Sequence, residues 1–262
     1  MVVRPSAVAG QFYPDDADHL RKQVSELLAK AAIPPIKSIP KALIAPHAGY
    51  VYSGATAAAA FAMLRSGAQM ITRVVLIGPA HYVHVRGIAA PTVNAFETPL
   101  GRVPVDAGAL DAIAGLPSVI QDDAAHAPEH ALEVELPFLQ TLLASFRVVP
   151  LLVGDVTPKE IAQVLLLLGD RPGTLIVVSS DLSHYHDYET ARRLDAATAA
   201  TIERGDWAGL GPHQACGSRA IAGLLLETGR RGLKIRRLLL CNSGDTAGSR
   251  DQVVGYGAWM FA

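Results

Sequence analysis

The chain has 262 residues, of which 50% are hydrophobic and 18% are charged. This composition is typical of a globular protein and excludes a disordered chain, because it supplies enough apolar surface for a sizeable core. A net charge of −1 argues against nucleic acid or an anionic membrane surface as a partner, since both select a basic face.

Targeting signals and cysteine content further restrict the class of protein to which this chain can belong. The N-terminal segment lacks the long apolar core of a signal peptide, and the most apolar run elsewhere, residues 148–156, is too short to span a bilayer. The sequence therefore predicts a cytoplasmic protein that does not bind membranes. Only two cysteines are present, Cys216 and Cys241, which argues against a disulfide framework.

Apolar strands and helices alternate along the N-terminal half. Helical spacing predicts helices over residues 15–31 and 53–67, and continuous apolar runs predict strands at 41–47 and 72–81. Residues 87–106 indicate a strand followed by a looped excursion that includes a hairpin. A helix is predicted over residues 128–144, with a kink or an early break at Pro137.

The same alternation continues to the C-terminus. Strands are predicted at residues 147–155, 173–184, 234–245 and 252–262, and helices at 157–170, 188–204 and 219–229. No repeat, linker or low-complexity tract interrupts the chain. We therefore predict one α/β domain over residues 1–262, with a largely parallel sheet covered on both faces and made mixed by the excursion.

Three histidines follow predicted strands directly. His47, His81 and His184 each lie just beyond an apolar run. In open α/β sheets, ligands bind beyond the carboxyl ends of the strands. A single histidine at such a position is usually a loop residue, but nothing structural requires imidazole at all three. The pattern predicts that these side chains converge on one site.

The segment "SSDLSHYH", residues 179–186, is the densest polar cluster after a strand. Asp181 can orient a histidine or hold a metal-bound water, and His184 can act as a general base. Ser179 and Ser183 have a structural alternative, because serine often caps the helix that follows a strand.

Other reactive groups remain open to two interpretations. Cys216 precedes an apolar helix, and a thiol at the start of a helix is expected to have a lowered pKa, which would suit a metal ligand or a nucleophile. Alternatively, Cys216 is a small apolar residue that packs into the domain. Cys241 is interpreted as a packing residue. Glu129, His130 and Glu133 share one face of the predicted helix, either at the edge of the site or, for the glutamates, on a solvated face. The other histidines are surface or supporting candidates: His19, His84, His126, His186 and His213.

Several motifs in order resemble one known family. "RPSAVAGQFYP", "APHAGYVYSG", "GPAH", "PEHALEVELPFL", "SSDLSHYH" and "ACG" are similar to those of the Memo family, whose prokaryotic members are called AmmeMemoRadiSam system protein B. The resemblance covers essentially the whole chain. It implies an α/β/α sandwich around a mixed sheet, similar in fold to the class III extradiol dioxygenases.

The resemblance also implies a metal site. Its ligands map onto His47, His81 and Cys216, with Asp181 and His184 in the same pocket; His130, Tyr50 and Ser180 are further candidates for substrate binding. Extradiol enzymes use glutamate where this family has cysteine. Two imidazoles and one anion suit iron(II), and a thiolate also favours copper or zinc. A small molecule or peptide is the expected ligand, and the family association implies radical-SAM and AMMECR-type protein partners.

Three functions are compatible with this pattern. The first is a non-haem iron redox enzyme resembling the extradiol dioxygenases, with His184 as a proton shuttle. The second is a metal-binding or protein-interaction module that uses the same pocket without turnover. The third is a metal-free hydrolase or transferase with Cys216 as its nucleophile.

Overall fold

The computed structural model describes residues 2–32 and 38–262. Within these residues the strands are β1 Val3–Arg4, β2 Ala42–Ala45, β3 Arg73–Pro79, β4 Ile88–Ala90, β5 Ala95–Thr98, β6 Gly101–Pro104, β7 Val119–Gln121, β8 Arg147–Val153, β9 Thr174–Ser179, β10 His184–His186, β11 Ile235–Asn242 and β12 Val253–Phe261. The α-helices are α1 Ala17–Lys30, α2 Tyr50–Phe61, α3 Ala107–Asp111, α4 Asp123–His126, α5 Leu136–Leu142, α6 Pro158–Gly169, α7 Tyr188–Glu203 and α8 Ser218–Arg230. Short 3₁₀ segments span Ala62–Met70, Glu133–Glu135, Trp207–Gly209 and Ser243–Asp245.

A mixed sheet forms the centre of the molecule. In the described residues its strand order is β10-β12-β2-β9-β3-β8-β4-β7, and β11 pairs with β12. The four central strands β2, β9, β3 and β8 run parallel, whereas β12 and β4 join them antiparallel. The predicted mixed sheet is thus confirmed, with its parallel part at the centre. The carboxyl ends of β2, β9 and β3 are neighbours, which brings the residues that follow these strands to one edge.

Helices cover both faces of this sheet. Side chains alternate along β2, so that Leu43 belongs to one core cluster and Ile44 to the other. The first cluster contains apolar residues of α1, α2 and α5, and the second contains those of α6, α7 and α8. Such alternation is expected of strands that are buried on both faces. The predicted three-layer α/β arrangement is confirmed.

The excursion and the proline break are also confirmed. Residues 95–104 form the hairpin β5–β6, to which β1 adds a parallel strand in a separate three-stranded sheet. Pro137 lies in the first turn of α5, and residues 128–132 before it are not helical. Among the described residues, no helix is both long enough and apolar enough to cross a membrane.

Candidate metal centre and its two cavities

The ends of β2 and β3 and the loop before α8 meet at one point. His47 follows β2, His81 follows β3, and Cys216 precedes α8. The ligand atoms of these three residues lie within 4.8 Å of one another. His47 Nε2 lies 3.4 Å from Cys216 Sγ. Tetrahedral zinc with ordinary bond lengths separates a nitrogen and a sulfur ligand by about 3.5 Å, so this spacing fits a shared cation.

Ser179 at the end of β9 fixes the orientation of His47. Its Oγ lies 2.8 Å from His47 Nδ1, 2.7 Å from the main-chain oxygen of Ala131 and 2.8 Å from Glu135 Oε1. The Ala131 oxygen can only accept, so it takes the single hydroxyl proton of Ser179. With that proton donated to Ala131, His47 Nδ1 donates to Ser179 Oγ, and Glu135 can hydrogen-bond the same oxygen only as a protonated acid that donates to it. His47 is thereby left with a free lone pair on Nε2, the nitrogen that faces Cys216.

The same proton count predicts that Glu135 is a neutral carboxylic acid. Its side chain is fully buried. Burial raises the pKa of Glu135 well above its usual range. An ionised Glu135 would leave two acceptor oxygens of this network in close contact with no proton between them. Burial also lowers the pKa of His47 to about 3, so His47 is neutral.

Glu129 holds His81 in a comparable way. One oxygen accepts the main-chain N–H of His81 at 2.6 Å, and the other lies 2.9 Å from His81 Nδ1. Burial alone would raise the pKa of Glu129, but the hydrogen bonds from His81 and Ala131 outweigh it and lower that pKa to about 2. Because Nδ1 of His81 is occupied, Nε2 is the nitrogen left for a ligand. Supporting carboxylates of this kind are usual behind metal-binding histidines.

The prediction that Glu129, His130 and Glu133 share one helix face is wrong. Glu129 and His130 lie before the 3₁₀ turn, so they do not share a helix face with Glu133. Both glutamates are buried, and neither lies on a solvated face. Glu133 accepts hydrogen bonds from the Arg4 guanidinium and the Tyr13 hydroxyl, which fasten the N-terminal segment to the fold.

A cavity of about 690 Å³, here called the front cavity, opens beside His47 and His81. The predicted residues Asp181, His184 and His130 line it. The His130 ring stacks on that of His81 at 4.8 Å between centroids, and burial lowers the pKa of His130 to about 4. Burial also raises the pKa of Asp181, whose carboxylate accepts the main-chain N–H of His47 at 2.9 Å.

The other two candidates for substrate binding do not line the front cavity. Tyr50 is buried, and its hydroxyl donates to the main-chain oxygen of Val134 at 2.7 Å. Ser180 Oγ accepts the main-chain N–H of Gly217 at 2.9 Å, which connects the end of β9 to the Cys216 loop. Their role in substrate binding stays a prediction. The exposed rings at the mouth of the cavity, which the sequence did not single out, belong to Tyr52, Tyr82 and Tyr185.

Burial determines the acidity of the Cys216 thiol. Burial and the nearby charge of Asp181 raise the pKa of Cys216 to about 12. The expected lowering by helix α8 is therefore wrong, because the loss of solvent outweighs it. One donor is nevertheless directed at the sulfur, since the main-chain N–H of Asp181 lies 3.3 Å from Sγ. A cation bound at this site would supply the positive charge that is needed to stabilise the thiolate form of Cys216.

Several supporting residues depart from the sequence interpretation. Ser179 does not cap a helix, because Asp187 caps α7, and Ser183 instead lies within the β9–β10 connection. His126 is buried and hydrogen-bonded to Ala89, whereas four of the other histidines are exposed: His19, His84, His186 and His213. Cys241 lies away from the site, with Sγ 3.1 Å from Thr56 Oγ1.

Comparison with known sequences places the chain in a family. A sequence profile described as Memo-like protein matches residues 4–260. The chain belongs to the Memo-like family. It is 34% identical to a MEMO1 family protein of Aquifex aeolicus across the full length of both, and 34% identical to one of Methanopyrus kandleri over 98% of each. A MEMO1 family protein of Nitrosopumilus maritimus is 31% identical over 99% of this chain and all of the relative. The Memo-like resemblance predicted from the motifs is thus confirmed.

Proposed function

We propose that this Memo-like protein is a metal-dependent redox enzyme. Iron(II) is the expected cation, with copper or zinc as alternatives, held by His47 Nε2, His81 Nε2 and Cys216 Sγ. The observation that best supports this proposal is the orientation of the two imidazole rings, each of which is held by a hydrogen bond. Each has its Nδ1 occupied by Ser179 or Glu129, which leaves Nε2 as the free ring nitrogen, and His47 Nε2 lies 3.4 Å from the thiol sulfur. Two neutral imidazoles and one anion suit a divalent cation with open positions.

The chain's own residues would bind the substrate and move its protons. A bound redox metal would supply electron transfer between a small organic substrate and an oxidant. The front cavity offers room for such a substrate beside His47 and His81. His184 lines that cavity and is half-buried, which suits a group that takes a proton from a substrate hydroxyl. The buried Asp181 holds the main chain of His47 in place.

A metal-free thiol enzyme is disfavoured by the same geometry. The 3.4 Å between Cys216 Sγ and His47 Nε2 matches a cysteine–histidine pair. However, the pKa of Cys216 is raised to about 12 and that of His47 is lowered to about 3, so a proton would not move from sulfur to nitrogen. A metal-binding module without turnover remains the second candidate, since the preset ligands support cation binding alone.

Anaerobic iron loading followed by oxygen uptake tests the proposal. We expect near-stoichiometric Fe(II) in the purified protein and its loss in His47→Ala, His81→Ala and Cys216→Ala. Cys241→Ala, at the other cysteine, should keep its iron. Unchanged iron in the first three variants would refute the metal site. If iron binds but no catechol or related phenol stimulates oxygen uptake, the non-catalytic module is favoured.

A further inference from the structure

A second cavity reaches the candidate metal centre from another side. It has a volume of about 640 Å³ and is here called the histidine cavity; its lining residues are His81, His184, His186, Leu194, Pro212, His213, Gln214 and Cys216. The front cavity is lined by His47 and not by Cys216, whereas the histidine cavity is lined by Cys216 and not by His47. The two cavities share His81 and His184, so they adjoin at the candidate site, and a smaller cavity of about 230 Å³ also reaches Cys216.

Residues of strand β10 line both of these cavities. Successive side chains of a strand point to opposite faces. In β10, His186 lines the histidine cavity and Tyr185 lines the front cavity, whereas His184 lines both. Tyr185 has a φ of 60°, at an irregularity in the pairing of β10 with β12. A residue other than glycine rarely adopts this backbone conformation, and it occurs where β10 lines both cavities.

The lining of the histidine cavity is chemically unusual. Four of the chain's nine histidines contribute to it, and none of its lining residues carries a carboxylate, an amine or a guanidinium. His186 and His213 are exposed, so they lie toward solvent, whereas Cys216 is only partly accessible. Neutral imidazole is the commonest protein ligand for zinc, copper and iron. The cavity therefore offers donors for such cations from its solvent end to the thiol.

We propose that the histidine cavity is the route by which the cation reaches its site. His186 and His213 take up a divalent transition-metal ion from solvent and pass it to His81 and Cys216. Stepwise exchange of water for imidazole avoids moving a bare cation through a poorly hydrated space, which would be costly. The front cavity then stays free for the organic substrate. This inference rests on the proposed metal site, and it adds a transient capture site that the final ligands do not require.

Stopped-flow binding of Co²⁺ to the metal-free protein tests the route, with thiolate-to-cobalt absorption as the signal. The double variant His186→Ala/His213→Ala should bind Co²⁺ several-fold more slowly, because the two capturing imidazoles are gone. Its dissociation constant should be unchanged, because the three final ligands remain. The control is His19→Ala, which removes an exposed histidine that lines none of the cavities at Cys216 and should load at the wild-type rate.

Alkylation of Cys216 separates capture from simple access. Iodoacetamide labelling is mapped by mass spectrometry, with Cys241 in the same molecule as the reference. Loss of two rings widens the mouth, so Cys216 of the His186→Ala/His213→Ala variant should be labelled at least as fast as in the wild type. Leu194→Trp narrows the cavity and should slow both labelling and Co²⁺ binding.

Each outcome decides between the two proposals. Slower Co²⁺ binding with unslowed labelling supports capture by the imidazoles. Binding of Co²⁺ at the wild-type rate in the double variant, or in Leu194→Trp, would overturn the route. Parallel slowing of binding and labelling in the double variant would overturn capture, because the loss of rings would then have closed the mouth. If the wild-type protein binds no Co²⁺ at all, the metal site itself fails.

Discussion

Ser179→Ala removes the one hydroxyl that joins His47, Glu135 and Ala131. Their three polar groups are buried, and the substitution leaves each without its partner. A buried polar group without a hydrogen bond costs about 1–3 kcal/mol, so the metal-free protein should lose at least about 3 kcal/mol of its free energy of unfolding. Metal affinity should fall by about 10–100-fold, because the His47 ring is no longer oriented.

Urea unfolding and Co²⁺ titration measure these two effects. The free energy of unfolding falls by about 3 kcal/mol per M urea, so the midpoint of urea unfolding should fall by about 1 M. Ser53→Ala is the matched control, because Ser53 is equally buried and its hydroxyl makes one bond, to Ala48 at 2.8 Å. That variant should lose about 1 kcal/mol and keep its metal affinity.

Glu135→Gln tests the proton count within the same network. Glutamine is neutral and carries an N–H donor, so it can replace a protonated Glu135 at Ser179. We expect wild-type metal affinity in this variant, and the infrared carbonyl band of a buried carboxylic acid should disappear. A loss of affinity as large as that of Ser179→Ala would refute the reasoning, because it would mean that a negative charge on Glu135 supports the cation.

Three further substitutions test other contacts. Glu129→Gln should weaken Co²⁺ binding about 10–100-fold, since Glu129 orients His81, whereas the exposed Glu97→Gln should not; equal affinities would contradict this role. Arg4→Met should cost about 3–5 kcal/mol in urea unfolding, because it leaves the buried Glu133 unpaired, whereas Arg21→Met removes an exposed pair and should cost less than about 1 kcal/mol. Burial lowers the pKa of His126 from 6.5 to about 4, so His126 is neutral in both the folded and the unfolded protein above pH 6.5. As the pH falls below 6.5, the unfolded chain takes up a proton at His126 before the folded protein does, and the free energy of unfolding decreases. The stability difference between wild type and His126→Gln should therefore shift by about 2 kcal/mol, to the disadvantage of the wild type, between pH 7.5 and pH 5; a constant difference would exclude His126 as the cause.

The ends of the central strands could be predicted because the apolar runs that identify these strands are local in sequence. Continuous apolar runs identify β2, β3 and β9 as buried strands, and the carboxyl ends of neighbouring parallel strands share an edge. From this signal alone, His47 and His81 are expected to lie close together. The pairing order β2-β9-β3, which makes the convergence possible, agrees with that expectation.

The supporting contacts could not be predicted because they are distant in sequence. Glu129 reaches His81 across 48 positions, and Ser179 reaches His47 across 132. Periodicity instead predicts Glu129 and Glu133 on one helix face, but the helix begins only at Leu136, next to Pro137. The prediction for the pKa of Cys216 is wrong for a similar reason, since burial depends on the whole fold and the helix position alone does not report it.

X-ray absorption on the zinc-loaded protein tests the central claim most directly. If His47, His81 and Cys216 hold one cation, the nearest shell contains nitrogen at about 2.0–2.1 Å and one sulfur at about 2.3 Å. The sulfur contribution should vanish in Cys216→Ser and persist in Cys241→Ser. A shell of oxygen and nitrogen alone in the wild-type protein, or a sulfur that survives Cys216→Ser, would contradict the account.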